Sequence, residues 1–263
     1  MDAVTLIMLR MLFALPFFVV MAWWAGRGRP PLTRRDLVAV VGLGFSGYYL
    51  SSFLDFAGLA YISASLERLI LYLNPTLVVL FGWLLYGRRI TTRQMGALAI
   101  SYLGVLLVFG HEVQVQRTAS TAWGALLVSL SAISYAGYLL ASGEHVRRIG
   151  SLRLVGLASG VACLLCIAQF LLLRPIDAAL GVAPQVIWLS VLNATACTVL
   201  PVLGVMMGIE RVGASMAAQA GTVGPISTIL MGVVLLGEPF TAWVAAGTVM
   251  VIAGIFFFTR TGR

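Results

Sequence analysis

A gap-free internal repeat is the feature that most constrains this sequence, because residues 61–110 recur as residues 211–260. At a constant offset of 150, Asn74-Pro75 matches Gly224-Pro225. The same offset pairs Ala64-Ser65, Gly82, Leu85, Gly87, Thr91 and Gly104 with Ala214-Ser215, Gly232, Leu235, Gly237, Thr241 and Gly254. Solenoid repeats have periods of about 20–50 residues. The period here exceeds half of the chain, so the sequence indicates duplication of one large unit.

Composition assigns that unit to the membrane. The sequence is 60% hydrophobic and 10% charged, with a mean hydropathy of +1.01, whereas soluble domains carry about 25% charged residues. The net charge of +8 comes from 17 cationic residues, all of them arginine. In a soluble protein this excess would suggest a nucleic-acid partner, but in a membrane protein it marks cytoplasmic loops. No nucleic-acid partner is therefore predicted.

Apolar segments long enough to cross a bilayer number nine, since a spanning helix needs about 17–25 residues. They lie near 4–25, 37–59, 66–86, 94–110, 122–142, 153–173, 185–208, 214–236 and 243–259. Short connections containing Gly, Pro or Arg separate them, for example Gly87-Arg88-Arg89 and Gly237-Glu238-Pro239. The sequence thus predicts nine transmembrane helices and no soluble domain between them.

Arginine positions orient these spans. Thirteen arginines fall in loops on one side, two (Arg117 and Arg174) fall on the other, and Arg10 and Arg68 lie within spans. The positive-inside rule then predicts a cytoplasmic C-terminus and, with nine spans, an external N-terminus. The two repeats start five helices apart, an odd number, so they are expected to be inverted in the membrane. Inverted repeats let a central site face each side of the membrane alternately.

The motifs resemble those of the EamA-type transporters of the drug/metabolite transporter superfamily. The second half reads Val223-Gly224-Pro225-Ile226, then Leu236-Gly237-Glu238-Pro239, then Ala253-Gly254-Ile255. The first half carries the same frame from Leu73-Asn74-Pro75-Thr76 to Tyr86-Gly87-Arg88-Arg89, with arginine where the family often has glutamate. Met8-Leu9-Arg10-Met11-Leu12-Phe13-Ala14 resembles the start of the family's second helix.

The resemblance implies an all-α polytopic membrane protein with the inverted-repeat bundle of that superfamily. Family members have ten helices, five in each half. Span 122–142 is the first helix of the second half, and its counterpart in the first half would lie before residue 1. The expected fold is therefore the ten-helix bundle without its first helix. The first repeat would occupy residues 1–117 with four helices, and the second repeat would occupy residues 118–263 with five.

The function implied by the resemblance is secondary transport of small metabolites, amino acids or their analogues, out of the cell across the bacterial inner membrane. Protons are one possible coupling ion, and facilitated diffusion is equally compatible. No cofactor is expected. A monomer would suffice because the halves are self-contained, but a homodimer stays open. Two other classes remain: a membrane-embedded lipid-modifying enzyme, and a non-transporting scaffold or truncated remnant.

Four ionisable residues, Arg10, Asp55, Glu67 and Arg68, fall in the outer third of the predicted bundle. Ionisable groups in membrane spans are costly, so they are default candidates for a functional site. One interpretation is an outer gate or vestibule whose ion pairs form and break as access alternates. The alternative is a structural network, or side chains that extend to the interface.

Polar residues beside the two prolines are the second group of candidates. Asn74 and Pro75 lie near mid-membrane, and Gln219 and Pro225 occupy the related helix of the other half. A proline removes one helix hydrogen bond and is expected to kink each helix. Asn74, Gln219 and the aromatic ring of Tyr72 could then contact substrate, although a kink stabilised locally would explain the pattern equally well.

Two spacings favour packing over chemistry. Cys163-x-x-Cys166 lies inside an apolar span without a second Cys pair or a nearby His, so it indicates structural cysteines. Gly156-x-x-x-Gly160 and Gly204-x-x-x-Gly208 predict close contacts between helices. No metal site and no catalytic residue are predicted.

Overall fold

The computed structural model describes residues 3–87, 91–116, 119–220, 234 and 241–261, and the regular secondary structure among these residues is all helical. Two of the helical segments are π-helical and are named π1 and π2. The elements are α1 (Ala3–Gly26), α2 (Arg34–Gly44), π1 (Phe45–Leu50), α3 (Ser51–Leu59), α4 (Ala64–Leu71), α5 (Asn74–Tyr86), α6 (Thr92–Gln116), α7 (Ala119–Ile149), α8 (Ser151–Leu173), α9 (Asp177–Leu180), α10 (Pro184–Ala194), π2 (Thr195–Val199), α11 (Leu200–Val212), α12 (Ala214–Ala220) and α13 (Ala242–Thr261).

Six helical segments among the described residues have the length and composition to cross a membrane. They are Val4–Gly26, Arg34–Leu59, Ala64–Tyr86, Ser120–Ile149, Ser151–Leu173 and Pro184–Val212. Two shorter apolar helices, Met95–His111 and Ala242–Gly254, coincide with two further predicted spans. The remaining predicted span, 214–236, lies mostly outside the described residues. A multi-pass helical protein is thus established, and the count of nine stays a prediction.

Helix boundaries extend the sequence repeat. Both α2 and α10 are 11 residues long, and they start 150 residues apart, at Arg34 and Pro184. Each continues directly into a π-helical segment, which starts at Phe45 in one half and at Thr195 in the other. The starts of α4 and α12, and of α6 and α13, keep the same offset. The duplication therefore reaches back to residue 34, where the sequences themselves no longer match clearly.

The chain folds into two compact units that interleave the halves. Unit 1 contains Met1–Phe53 and Tyr138–Ala214, and unit 2 contains Leu54–Gly137 and Ser215–Arg263. Each compact unit takes segments from both sequence repeats. The predicted repeat boundary at residues 117 and 118 describes a different division of the chain and stays a prediction.

In unit 1, α1 and α8 pack along each other. A Cβ atom on Gly156 of α8 would lie 2.5 Å from the backbone nitrogen of Ala22 and 2.7 Å from the carbonyl oxygen of Phe18. Among the described residues, nothing lies within 4 Å of the corresponding positions on Gly160 and Gly204. The prediction of close contact is therefore confirmed for Gly156, whereas no described residue makes such a contact with Gly160 or Gly204.

Further contacts between the two halves of the chain flank the α1–α8 pair. The helix α2 and segment π1 pack on α8, whereas α10 and π2 pack on α1. Gly44, at the end of α2, permits the close contact between α2 and α8, since a Cβ atom there would lie 2.9 Å from the Cβ atom of Val161. Each half of the chain thus supplies a helix that packs against the other half within unit 1.

In unit 2, α6 and α13 form a close pair. A Cβ atom on Gly104 would lie 2.8 Å from the carbonyl oxygen of Gly247, and one on Gly247 would lie 2.7 Å from that of Gly104. The Ser101 hydroxyl donates to the carbonyl of Val251, 150 residues away, at 3.4 Å. Residues related by the repeat offset therefore meet where these helices cross, as a local twofold relation requires.

Gly156→Ala should lower the melting temperature of the detergent-purified protein. The added methyl group overpacks the α1–α8 contact, and overpacking typically costs about 1–3 kcal/mol. Gly160→Ala on the same helix is the matched control. It should leave the melting temperature unchanged or raise it, since alanine favours a helix over glycine by about 1 kcal/mol. Equal effects of both variants would contradict the packing described for α1 and α8.

Candidate functional site

Glu67 and Arg68 lie in the first turn of α4, where the chain enters a helix capped by a serine. The Ser63 hydroxyl accepts a hydrogen bond from the backbone N–H of Leu66 at 3.1 Å, which fixes the start of the helix. Glu67 is only 1% exposed, and its Oε2 lies 3.1 Å from Nε of Arg68, which is 40% exposed. The sequence predicted ionisable residues here, and the structure joins these two in an ion pair.

A break in the helix follows one turn later. Helix α4 ends at Leu71, Tyr72 and Leu73 form a turn, and α5 starts at Asn74. Pro75 occupies the first turn of α5, where its missing N–H removes no helix hydrogen bond. The Thr76 hydroxyl donates to the carbonyl of Leu73 at 2.6 Å. The region predicted as one kinked helix is thus two helices joined by a two-residue turn.

Polar groups cluster at this break. Tyr72 is buried, and Asn74 is half-buried on the first residue of α5. The Oδ1 atom of Asn74 is buried and accepts no hydrogen bond from any described residue. A buried acceptor without a hydrogen bond costs free energy. A bound molecule that donates a hydrogen bond to this oxygen would recover that cost.

The other predicted residues are distributed over both units. Asp55 is half-buried on α3 within unit 2. Arg10 is half-buried on α1 within unit 1, where α1 packs along α8. Gln219 belongs to α12, but its side chain lies outside the description. Pro225 also lies outside the described residues.

The π-helical segments are the functional candidates that sequence reasoning missed. In π2, the amide of Leu200 donates to the carbonyl of Thr195, five residues back. Pro201 follows directly, and it has no N–H for the carbonyl of Cys197, four residues back. The Thr198 hydroxyl donates to the Asn193 carbonyl at 2.9 Å. Pro201 thus removes one regular helix hydrogen bond at this point, and the Thr198 hydroxyl supplies a bond to a backbone carbonyl.

The first half of the chain also contains a π-helical segment, π1, but a serine stands there in place of the proline. The equivalents of Cys197 and Pro201 are Gly47 and Ser51, and the Ser51 hydroxyl donates to the carbonyl of Gly47. Pro201 within an apolar span was a usable sequence signal for π2. A serine within a helix is not, because serine hydroxyls often bond to the preceding turn without disrupting it. π-Helical turns inside α-helices frequently mark functional positions.

An aromatic contact packs π1 against α7. The ring of Tyr138 lies over Gly47, where a Cβ atom would overlap it, and meets the ring of Tyr48 edge-on at a centroid distance of 5.3 Å. Tyr138 is fully buried. Only glycine at position 47 permits this contact. The π1 backbone therefore rests directly on the tyrosine ring.

The fold and this site define a multi-pass helical membrane protein with an internal duplication, interrupted helices and buried ionisable groups. The sequence matches the EamA-like transporter family over residues 1–110 and 122–260. The chain belongs to that family.

The relatives carry names of the same kind. "Uncharacterized transporter YcbK" of Bacillus subtilis is 31% identical over 99% of this chain and 82% of its own length. "Uncharacterized transporter YyaM" of the same organism is 25% identical over 84% of this chain and 73% of its own length. An "Uncharacterized transporter" of Archaeoglobus fulgidus is 24% identical over 86% of this chain and 79% of its own length. Family and relatives therefore indicate a transporter.

A solved crystal structure shares the fold. It superposes with a TM-score of 0.70 at 20% sequence identity, and it covers 99% of this chain and 88% of the other chain. At this identity the likeness concerns the architecture alone.

Proposed function

We propose that the protein is a secondary transporter that moves small metabolites across the bacterial inner membrane by alternating access between two inverted repeats. The observation that carries this proposal is the pair of π-helical segments at Phe45–Leu50 and Thr195–Val199, which keep the repeat offset of 150. Duplicated interruptions in spanning helices, at corresponding positions of the two halves, are the usual pointer to the binding site of such transporters. The C-terminus would be cytoplasmic and the N-terminus external.

In this proposal π1 and π2 are hinges. The chain passes from unit 1 to unit 2 between Phe53 and Leu54, three residues after π1 ends, and returns between Gly137 and Tyr138. Tyr138 is the residue that packs on π1. A π-turn lacks the regular α-helical hydrogen bonds, so bending there disturbs fewer of them than bending elsewhere. Hinges are expected at such terminal positions of regular elements.

The proposed substrate pathway includes Glu67, Arg68, Tyr72 and Asn74. The buried carboxylate of Glu67 would bind a cationic group, and Oδ1 of Asn74 would accept a hydrogen bond from a substrate N–H. Both features suit a substrate with an ammonium group. Arg10, Asp55 and Gln219 complete the proposed set of binding or gating residues. Pro225 would shape the second repeat as Pro75 shapes the first.

Amino acids or their analogues, exported from the cell, are the proposed substrates, and this choice rests on the family resemblance. Glu67 or Asp55 would carry the proton if transport is coupled to one, because a carboxyl group can bind and release it. A monomer would be sufficient for this mechanism, and a homodimer is compatible with it.

Efflux from cells preloaded with labelled amino acids tests the proposal. Expression of the protein should accelerate efflux of a subset of them, and Glu67→Gln should reduce that rate on the order of tenfold, the effect of about 1.4 kcal/mol. The substitution removes the buried charge while keeping the side chain's shape. Glu144→Gln, at an exposed position on α7, is the matched control and should transport normally. Normal efflux through a well-expressed Glu67→Gln variant would remove Glu67 from the pathway.

Pro201→Ala in the same assay tests the hinge. Alanine restores the N–H that can bond to the Cys197 carbonyl, so α10 and α11 should form a stiffer, more regular helix. We expect slower efflux with a melting temperature that does not fall, a combination that simple damage to the fold would not produce. Pro184→Ala is the control, because a proline in the first turn of α10 displaces no hydrogen bond. Wild-type efflux through Pro201→Ala would contradict a hinge at π2.

A further inference from the structure

A basic surface at the end of unit 1 is fixed by three arginines. The loop between α1 and α2 meets the junction of α7 and α8, and arginine side chains make the connections. Arg29 Nη1 donates to the carbonyl of Ile149 at 2.6 Å, and Arg153 Nη1 donates to the carbonyl of Pro30 at 3.1 Å. Arg148 pairs with the carboxylate of Asp36 and donates to the Thr33 hydroxyl at 3.0 Å.

Arg29 and Arg153 differ from Arg148 in one respect. Each is held by a neutral backbone carbonyl, and within the described part of the chain neither has a carboxylate oxygen within 4 Å. Their charges are therefore held in place without being neutralised. A guanidinium group carries five N–H donors in a rigid fork that matches a phosphate, so each keeps unused donors for a ligand.

The two guanidinium groups lie beside the same short stretch of backbone. Arg29 lies against Gly150, where the guanidinium carbon would be 3.1 Å from a Cβ atom. Gly150 has φ +86° and directly precedes α8, whose third residue is Arg153. Arg153 in turn reaches back to Gly26 and Pro30 on either side of Arg29 in sequence. Of the carboxylates at this junction, Asp36 pairs with Arg148, and Glu210 accepts a hydrogen bond from the Ser151 amide at 3.4 Å.

An apolar surface adjoins this end of the unit. Val20, Trp23 and Trp24, on the last turns of α1, are 59%, 61% and 65% exposed. The guanidinium of Arg27 lies 3.5 Å above the ring of Trp23. Tryptophans of this kind mark the interface between headgroups and acyl chains. Because α1 ends at Gly26, the two fixed arginines lie at headgroup depth.

We propose that Arg29 and Arg153 bind the phosphate of an anionic glycerophospholipid such as phosphatidylglycerol, whose acyl chains lie along the Val20–Trp24 face of α1. Phosphate is the shared chemistry, and the apolar face favours a lipid over a free phosphate. The cations next to the pair in sequence or at the same junction, Arg27 and Arg147, would repel the ammonium of a zwitterionic headgroup and attract a net negative one. This site is independent of the proposed transport function.

The test is lipid-dependent thermal stability of the full-length protein, delipidated in a neutral detergent. Phosphatidylglycerol should raise the melting temperature well above the value in phosphatidylcholine at equal concentration. Glycerol phosphate at that concentration should have no such effect. In Arg29→Gln/Arg153→Gln, phosphatidylglycerol should no longer raise the melting temperature above the value in phosphatidylcholine at that concentration. The phosphatidylglycerol concentration that gives half of the maximal stabilisation should rise on the order of tenfold or more, since two charge-assisted contacts are lost.

Arg34→Gln/Arg35→Gln is the matched control, because it removes the same charge from the same end of the unit. It should keep most of the difference between the two lipids. An equal loss in both double variants would mean diffuse electrostatic attraction and would overturn the proposal. Stabilisation by glycerol phosphate alone, or by phosphatidylcholine as strongly as by phosphatidylglycerol, would also overturn it.

If the glutamine double variant does not fold, Arg29→Lys/Arg153→Lys replaces it. This variant retains both charges but lacks the planar fork that holds a phosphate and a carbonyl together. A clear weakening of phosphatidylglycerol binding, counted as bound lipids by native mass spectrometry, supports the fixed pair. Unchanged binding contradicts it.

Discussion

Hydrogen bonding of the backbone is the constraint on which the rest of this structure depends. In lipid, each N–H and carbonyl must find a partner within the protein, so the spanning segments are helices. The exceptions fall where a side chain compensates. Ser51 binds the carbonyl of Gly47, Thr198 binds that of Asn193, and Thr76 binds that of Leu73. Among the described spanning segments, irregular backbone thus occurs at π1, at π2 and at the turn formed by Tyr72 and Leu73. These are the places where the proposed transport mechanism needs bending or binding.

Close packing in this protein depends on glycine. Helices in a membrane gain little from the hydrophobic effect, so they associate through small residues that let backbones approach. Gly156 does this between α1 and α8, and Gly104 and Gly247 do it between α6 and α13. The second pair also expresses the duplication, because Ser101 meets Val251 at the crossing. Residues that correspond in the sequence repeat therefore also contact each other in the packed helices.

Much of the fold could be predicted from the sequence, because length and apolar character determine where a helix spans a membrane. The helical spans that the structure describes, the family, and the position of two ionisable residues at the start of α4 all followed from local residues. Three features did not. The Gly156-x-x-x-Gly160 spacing cannot say which glycine meets a partner, since that depends on the helix packed against it. Ser51 carries no local signal of a π-turn. The sequence repeat weakens before residue 61, whereas the backbone keeps the relation as far as residue 34.

Alternating access by exchange of the two repeats requires that they have opposite orientations in the membrane. The accessibility of single cysteines measures these orientations directly. In a protein whose three native cysteines are replaced by serine, Ser63→Cys and Gly213→Cys occupy equivalent positions of the repeat, 150 residues apart. We predict that a membrane-impermeant maleimide labels position 63 in intact cells and labels position 213 only after the membrane is opened. Labelling of both positions from the same side would contradict inverted repeats, and with them alternating access by exchange of the two halves.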